Sequence, residues 1–194
     1  MTVSELSELA VRPWETARLL LRAPTADDLE AVFALHADPI ANRFSASGPM
    51  PTREASAELL ESWLAHWREH GYGYWAIASR EEPQRLIGFG GVMNRCVAGV
   101  KGLHLYFRFL PQAWGQGLAS EMALAALELV FDTLHEASVL AVVLPQNTPS
   151  RKTLERIGML LKTSSEGGSL VYEMTAERFA QIPRTPPAPT PFGA

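Results

Sequence analysis

The chain has 194 residues, of which 47% are hydrophobic, and a formal net charge of −4; this suits one globular domain with a real core. Charges of both signs are mixed along it, which argues against the clustered basic stripe of a nucleic-acid-binding surface. No apolar run reaches the ~20 residues of a membrane span, and the single Cys96 has no partner for an internal disulfide, which fits a reducing cytoplasm.

Residues 1–15 are weakly patterned and are expected to form a flexible arm; no basic region followed by an apolar run marks a signal peptide. Residues 19–22 read as a short strand. Thr25-Ala-Asp-Asp28 resembles a capping box with Asp in place of Glu, ahead of Leu29, Val32, Phe33 and Leu35 at helical spacing. A second helix is expected over 52–70, with Ala55, Leu59, Leu60, Trp63, Leu64 and Trp67 on one face. Gly71-Tyr-Gly73 breaks it. Residues 74–79, 84–93 and 103–110 are short, apolar or aromatic, and bounded by turn residues, which predicts a meander. A helix over 115–134 would turn Leu118, Met122, Ala125, Ala126, Leu129 and Val130 inward. A strand over 139–144, a helix over 148–157 and strands over 159–162 and 170–175 follow, with Gly167-Gly168 as a hairpin turn. The tail over 183–194 holds five prolines and reads as disordered or extended. The sum is a single α/β domain over 16–182, with a mixed central sheet of about seven strands and flanking helices.

The segment Gln112-Ala-Trp-Gly-Gln-Gly117 stands between an apolar run and an amphipathic helix. A tight glycine turn at a helix start leaves several backbone N–H groups pointing outward, at the positive end of the helix dipole. That is a seat for phosphate oxygens. No Gly-Lys-Ser/Thr follows, so it is not a Walker A loop. The third glycine of the dinucleotide fingerprint and its acidic residue about 20 positions on are missing too. A turn that only packs a helix closely on a strand is the other reading. Downstream, Asn147-Thr-Pro-Ser150-Arg-Lys-Thr-Leu154-Glu-Arg-Ile-Gly158 follows the strand Leu140-Ala-Val-Val-Leu144, with an Asn to cap a helix and a Gly to end it.

The pattern Gln-x-x-Gly-x-Gly resembles the coenzyme A pyrophosphate loop of the GNAT N-acetyltransferases. Asn-x-x-Ser-x-x-x-Leu-x-x-x-Gly resembles the second half of that family's core. Thr16-Ala-Arg-Leu-Leu-Leu-Arg-Ala-Pro-Thr-Ala-Asp-Asp-Leu29 and Leu86-Ile-Gly-Phe-Gly-Gly91 resemble its RimJ/RimL-like branch. The resemblance spans residues 16–175. It implies a GNAT-type acyl-CoA N-acyltransferase fold and transfer of an acetyl group from acetyl-CoA to a primary amine, without a metal. The amine would belong to a protein N-terminus or a small molecule, and attack would be direct, in a ternary complex.

In that family two central parallel strands splay apart and pantetheine pairs with the edge of the first. The resemblance therefore implies contacts to coenzyme from Phe107, Arg108, Phe109 and Leu110. The turn Gln112, Ala113, Trp114, Gly115, Gln116 and Gly117 would add to them, with Leu118, Ala119, Asn147 and Ser150. Phe107 N–H would polarise the thioester carbonyl, and Trp114 is expected to pack beneath the turn. Many family members carry a Tyr seven residues after the Asn; here that position is Leu154, and Ser150 is the alternative donor to sulfur. Its other role is capping the helix that starts near Asn147. His104, on the same strand face as Tyr106 and Arg108, is either the general base or a strand-end surface residue. Asn94 is a further option, and Glu121 suits a structural role near the helix start.

Trp63, Trp67, Tyr72, Tyr74 and Trp75 are either core or an aromatic wall for the acceptor. Arg43 and Phe44 are acceptor contacts by position. Two other readings stand beside catalysis: a non-catalytic acyl-CoA sensor or interaction module on the same fold, and a different phosphate-ligand α/β protein. The sequence leaves open whether the chain is a monomer or a homodimer.

Overall fold

The computed structural model describes residues 13–183 with the exception of 46 and 98; residues 1–12 of the arm expected over 1–15 and residues 184–194 of the tail expected over 183–194 lie outside the described residues, and Trp14–Glu15 of the expected arm form a strand instead. The chain opens with two short strands, β1 (Trp14–Glu15) and β2 (Leu19–Arg22). Thr25 and Asp28 then form the expected capping box, with Thr25 N–H donating to Asp28 Oδ2 at 2.7 Å, and one 3-10 turn leads into α1 (Leu29–Ala37). Helix α2 (Arg53–His70) is capped by Thr52, whose hydroxyl accepts from Ala55 N–H, and is closed by Gly71.

Strands β3 (Tyr74–Ser79), β4 (Leu86–Val97) and β5 (Val100–Phe109) make the predicted meander. Helix α3 (Leu118–Glu128) runs into a π turn over Leu129–Thr133. Strand β6 (Ser138–Val143), α4 (Thr148–Arg156), the hairpin β7 (Leu160–Ser164) and β8 (Leu170–Thr175), and a single turn of helix α5 (Ala176–Phe179) complete the fold.

The sheet has eight strands in the order β1-β2-β3-β4-β5-β6-β8-β7. The strand beyond the expected seven is β1, two residues long and paired to β2. Every pairing is antiparallel except β5 with β6, which run parallel and meet in register only at His104 and Leu140. Past that point the two strands diverge.

Alternation along β3 explains the layers. Trp75 and Ile77 enter a core with Leu19, Leu21, Val92, Leu105 and Met122, against α3. Tyr74 and Ala76 face the other way into a second core with Val32, Leu35, Leu60, Trp63 and Phe89, under α1 and α2. Helix α3 lies close on the sheet because Gly90 has no Cβ; one there would stand 2.7 Å from Met122 Cε and 2.7 Å from Tyr106 O.

The five aromatics around the end of α2 are all buried. Trp63 packs its ring against His36, Tyr74 and Phe89, with centroids 5.7, 5.6 and 5.4 Å away. Of the two readings of this cluster, the structure shows core.

Candidate functional site

The divergence of β5 and β6 opens a cleft of about 490 Å³. Its floor follows from strand geometry. Leu110 N–H donates to Ile87 O at 2.8 Å, on the β4 side. Backbone groups alternate sides along a strand, so Arg108 also turns its N–H towards β4, and Phe107 and Phe109 turn theirs towards the gap. Trp114 Nε1–H donates to Phe109 O at 2.8 Å. Phe107 therefore presents its backbone N–H and C=O to the cleft, with no strand opposite.

The turn after β5 forms one wall. A 3-10 turn over Pro111–Ala113 leads to Gly115 and Gly117, both left-handed at φ 75° and 77°. A Cβ on Gly115 would meet nothing within 4 Å; one on Gly117 would come only to 3.7 Å of Arg18. Gly117 is the N-cap of α3 and offers no side chain to it, and the first i to i−4 bond is Glu121 N–H to Gly117 O at 3.1 Å. Leu118, Ala119 and Ser120, which line the cleft, thus begin the helix with N–H groups that lack an intrahelical acceptor.

Arg18 braces this turn from outside. Its Nη1–H donates to Gln116 O at 2.8 Å and its Nε–H to Glu121 Oε2 at 2.7 Å, while Glu121 Oε1 accepts from Thr16 Oγ1–H and Arg18 N–H. Burial works to raise the Glu121 carboxyl, but the bonds from Thr16 and Arg18 outweigh it and hold it below the usual range. Glu121 is thus structural, as expected. Arg18 was not anticipated, because 98 residues separate it from Gln116.

Helix α4 forms the facing wall. Asn147 Oδ1 accepts from Ser150 N–H at 3.2 Å, so the cap uses the Ser150 backbone and the Asn side chain. The cap does not use the Ser150 hydroxyl, and Ser150 belongs to the cleft lining with Asn147, Lys152, Thr153 and Arg156. Lys152 and Arg156 were missed, although their i, i+4 spacing puts them on one helix face and gave a usable signal.

The segment after α1 closes the remaining end with Ile40, Ala41, Arg43, Phe44 and Ser45. The Arg43 guanidinium lies 4.5 Å from the Trp114 ring centroid and 4.8 Å from that of Phe44. Trp114 is 38% exposed. It lines the cleft instead of packing beneath the turn, because its N–H is bonded to Phe109 and its ring is covered by Arg43.

Arg108, partly buried, is hydrogen-bonded to Asn42 Oδ1, with its guanidinium 5.7 Å from the Tyr106 ring centroid. Asn42 is oriented by its own amide, which donates to Leu35 O and Asp38 O. Tyr106 meets His36 Nε2 at 3.1 Å, and His36 Nδ1 meets Val32 O at 2.8 Å. Burial, with the Arg108 guanidinium adding to it, pushes the His36 imidazole down to about 4. A neutral ring then donates to Val32 O and accepts from Tyr106.

The sign of the pH dependence follows. As pH falls below 6.5 the unfolded chain takes up this proton and the folded chain does not, so stability is full above that pH and declines towards pH 4. At ~1.4 kcal/mol per pKa unit the loss approaches about 3 kcal/mol. Urea unfolding at pH 7.5 and pH 5 should show it, and His36→Gln should reduce the difference, leaving the part that comes from His66 and His104, whose imidazoles burial also lowers.

Of the sequence-derived residues, the cleft gathers Phe107, Arg108, Phe109, Ala113, Trp114, Gly115, Gly117, Leu118, Ala119, Asn147 and Ser150. Leu110, Gln112 and Gln116 do not line it; Gln116 Nε2–H donates to Gln112 O at 3.0 Å. His104 does not line it either. It is 2% exposed, its Nε2 lies 2.9 Å from Val100 O, and burial lowers its imidazole. It is neither a strand-end surface group nor in reach of an acceptor in the cleft, because its ring points back along β5. Asn94 belongs to a separate cluster with His66 and Tyr72. Cys96 is exposed and also outside the cleft. No group of side chains suited to a metal ion occurs among the described residues, and none of their helices is long and apolar enough to cross a membrane.

The left-handed glycines with open space at their Cβ positions, the uncapped helix start and the unpaired Phe107 backbone suit a ligand with phosphates at one end and an amide-bearing arm at the other. Residues 18–160 match the family described as the acetyltransferase (GNAT) domain. The uncharacterized N-acetyltransferase YoaA of Bacillus subtilis (strain 168) is 26% identical over 146 residues, covering 74% of this chain and 80% of that relative. The crystal structure of an acetyltransferase from Agrobacterium tumefaciens str. C58 superposes with a TM-score of 0.74 at 26% identity, over 84% of this chain and 94% of that one. Spermidine N-acetyltransferase from Vibrio cholerae, solved in complex with CoA and spermine, shares the fold, with a TM-score of 0.69 at 16% identity over 86% of this chain and 100% of that one.

Proposed function

Because this chain belongs to the acetyltransferase (GNAT) domain family, we propose that it transfers an acetyl group from acetyl-CoA to a primary amine by direct attack in a ternary complex. We further assign it to the RimJ/RimL-like branch, on the sequence motifs. The observation that carries the proposal is the unpaired Phe107 backbone in a parallel splay, directly followed by the left-handed Gly115 and Gly117.

Acetyl-CoA supplies the activated thioester. The turn over 113–117 and the first N–H groups of α3 hold its pyrophosphate, with Lys152 and Arg156 in reach of further phosphate charge. The Phe107 backbone takes the place of a sheet partner for the amide arm, and its N–H stabilises the oxyanion as the amine nitrogen bonds to the carbonyl carbon. The C–S bond then breaks and the thiolate leaves, with Ser150 as hydrogen-bond donor to sulfur, and the remaining extra proton on nitrogen passes to the thiolate through water, giving the amide and the coenzyme A thiol. Alignment of the two reactants supplies a large part of the acceleration.

No carboxylate or imidazole lines the cleft among the described residues. The ammonium therefore passes its proton to water, helped by the guanidiniums of Arg43 and Arg108, which disfavour a second positive charge. Cys96 lies away from this site, which agrees with transfer without an acyl-enzyme.

The test is thiol release from acetyl-CoA over a panel of amines. Ser150→Ala should lower kcat roughly 10- to 100-fold while the KM for acetyl-CoA stays within about two-fold. An unchanged kcat removes Ser150 from the chemistry, and coenzyme binding without release on any amine favours a sensor.

A further inference from the structure

The cleft lining among the described residues holds four cations, Arg43, Arg108, Lys152 and Arg156, and no Asp, Glu or His. The chain as a whole carries a formal net charge of −4, so this accumulation runs against its overall charge. Two of the four, Lys152 and Arg156, belong to α4. The other two come from the opposite end. Arg108 is bonded to Asn42, the residue before Arg43, so both guanidiniums are tied to the segment that follows α1.

Their partners are neutral. Arg43 has the rings of Phe44 and Trp114 and a 3.3 Å bond to Ile40 O. Arg108 has the Asn42 amide oxygen and the face of Tyr106. The Arg108 charge is also felt by buried His36. Arg108, partly buried and with only neutral partners, gains most from an anion, and Arg43, which is exposed, lines the same cleft beside it.

We infer that the acceptor is a small amine carrying a carboxylate, of the amino-acid class, bound with its carboxylate between Arg108 and Arg43 and its amine towards Phe107. This rests on the acetyl-transfer reading above. The same charges repel a polyamine, whose several ammonium groups would meet two guanidiniums and no carboxylate.

The experiment measures thiol release with acetyl-CoA for a panel of amino acids, each run beside the amine left when its carboxylate is removed, such as L-phenylalanine beside 2-phenylethylamine. Spermidine and a C-terminally amidated peptide with a free N-terminus complete the panel. The same carboxylated acceptors are titrated by calorimetry into the coenzyme A complex. The carboxylated member of a pair should be preferred about 10- to 100-fold in kcat/KM, the range of one hydrogen-bonded charge contact. Arg108→Gln should remove that preference and the calorimetric signal and leave the KM for acetyl-CoA within about two-fold; both members of a pair lose the help the guanidinium gives to deprotonation, but kcat/KM should fall about 10- to 100-fold further for the carboxylated member than for 2-phenylethylamine, and Arg108→Lys should restore part of the difference.

Equal or faster turnover of spermidine, of the amidated peptide or of the decarboxylated amines by the unaltered protein overturns this inference and leaves acetyl transfer standing. An Arg108→Gln variant that loses both members of a pair equally overturns it as well. Coenzyme binding with no thiol release from any acceptor overturns both this inference and the reading beneath it.

Discussion

Gly117→Asp should weaken coenzyme A binding at least about 100-fold while the protein stays folded. Two effects act together. At φ 77° a side chain is strained, at about 1–2 kcal/mol, less for Asp than for most residues. The larger effect is the carboxylate itself, set at the N-cap of α3 where a phosphate would otherwise sit. It satisfies the helix start internally and repels the ligand. No steric clash contributes, since a Cβ at 117 meets only Arg18, at 3.7 Å. Gly117→Asn separates the parts, because Asn tolerates the left-handed region, occupies the same volume and brings no charge. It should bind more weakly than the unaltered protein and more tightly than Gly117→Asp. Calorimetric titration gives the affinities and thermal unfolding in the absence of ligand shows whether the fold survives. Unchanged coenzyme affinity in a folded Gly117→Asp protein would remove the turn from the binding site and with it the functional proposal.

Trp63→Ala should cost about 3–5 kcal/mol of stability, the range for emptying a large aromatic site. Trp63 is 1% exposed, and three aromatic rings pack around it. It lies in the core that joins α1 and α2 to the sheet. A domain stability of ~5–15 kcal/mol leaves little after such a loss. One detail sharpens the expectation. Trp63 Nε1 is buried without a hydrogen-bond partner among the described residues, so the native residue already bears a desolvation cost. Trp63→Phe removes that burden along with some volume, and should cost well under half of what Ala does. Urea unfolding of the three proteins, with m unchanged, checks the order. An Ala variant as stable as the unaltered protein would mean that this core does not hold α2 to the sheet.

The elements most legible in the sequence were those with both faces covered. Strand β3 is buried along nearly all its length and β8 over half of it, and both coincide with the expected ranges. The glycine turn was legible because its geometry is local: φ above zero and a helix start are written in consecutive residues. What escaped was non-local or too short to show a period. Strand β1 has two residues and exists only through its pairing to β2. The outer hairpin of β4 and β5 runs past the expected ends because Arg95 and Cys96 are exposed there and break the apolar pattern. The helix after the turn was expected to continue to 134, and the apolar residues do continue, but the backbone widens into a π turn at Leu129.

At the site, alternation correctly set His104, Tyr106 and Arg108 on one face of β5. It gave no information on where along the strand the gap opens. His104 turned out to mark the one register position that β5 shares with β6, bonded back to Val100, whereas Arg108 reaches the lining. Arg18 and Asn42 hold the turn and Arg108 in place through bonds to residues distant in the chain, 98 and 66 positions away. Nothing in a single sequence joins such pairs.

The lone register position shared by β5 and β6 has a further consequence. It divides the sheet into two leaves, one of five strands and one of three, stitched by a single rung at His104 and Leu140. Beyond that rung the leaves share one apolar core, in which Leu105 of one and Val139 and Ala141 of the other join Met122 and Ala126 of α3, so the width of the gap depends on packing. A ligand arm laid against Phe107 would then complete a sheet that the chain leaves unfinished, and the substrate would be, for the length of one turnover, a structural element of the protein.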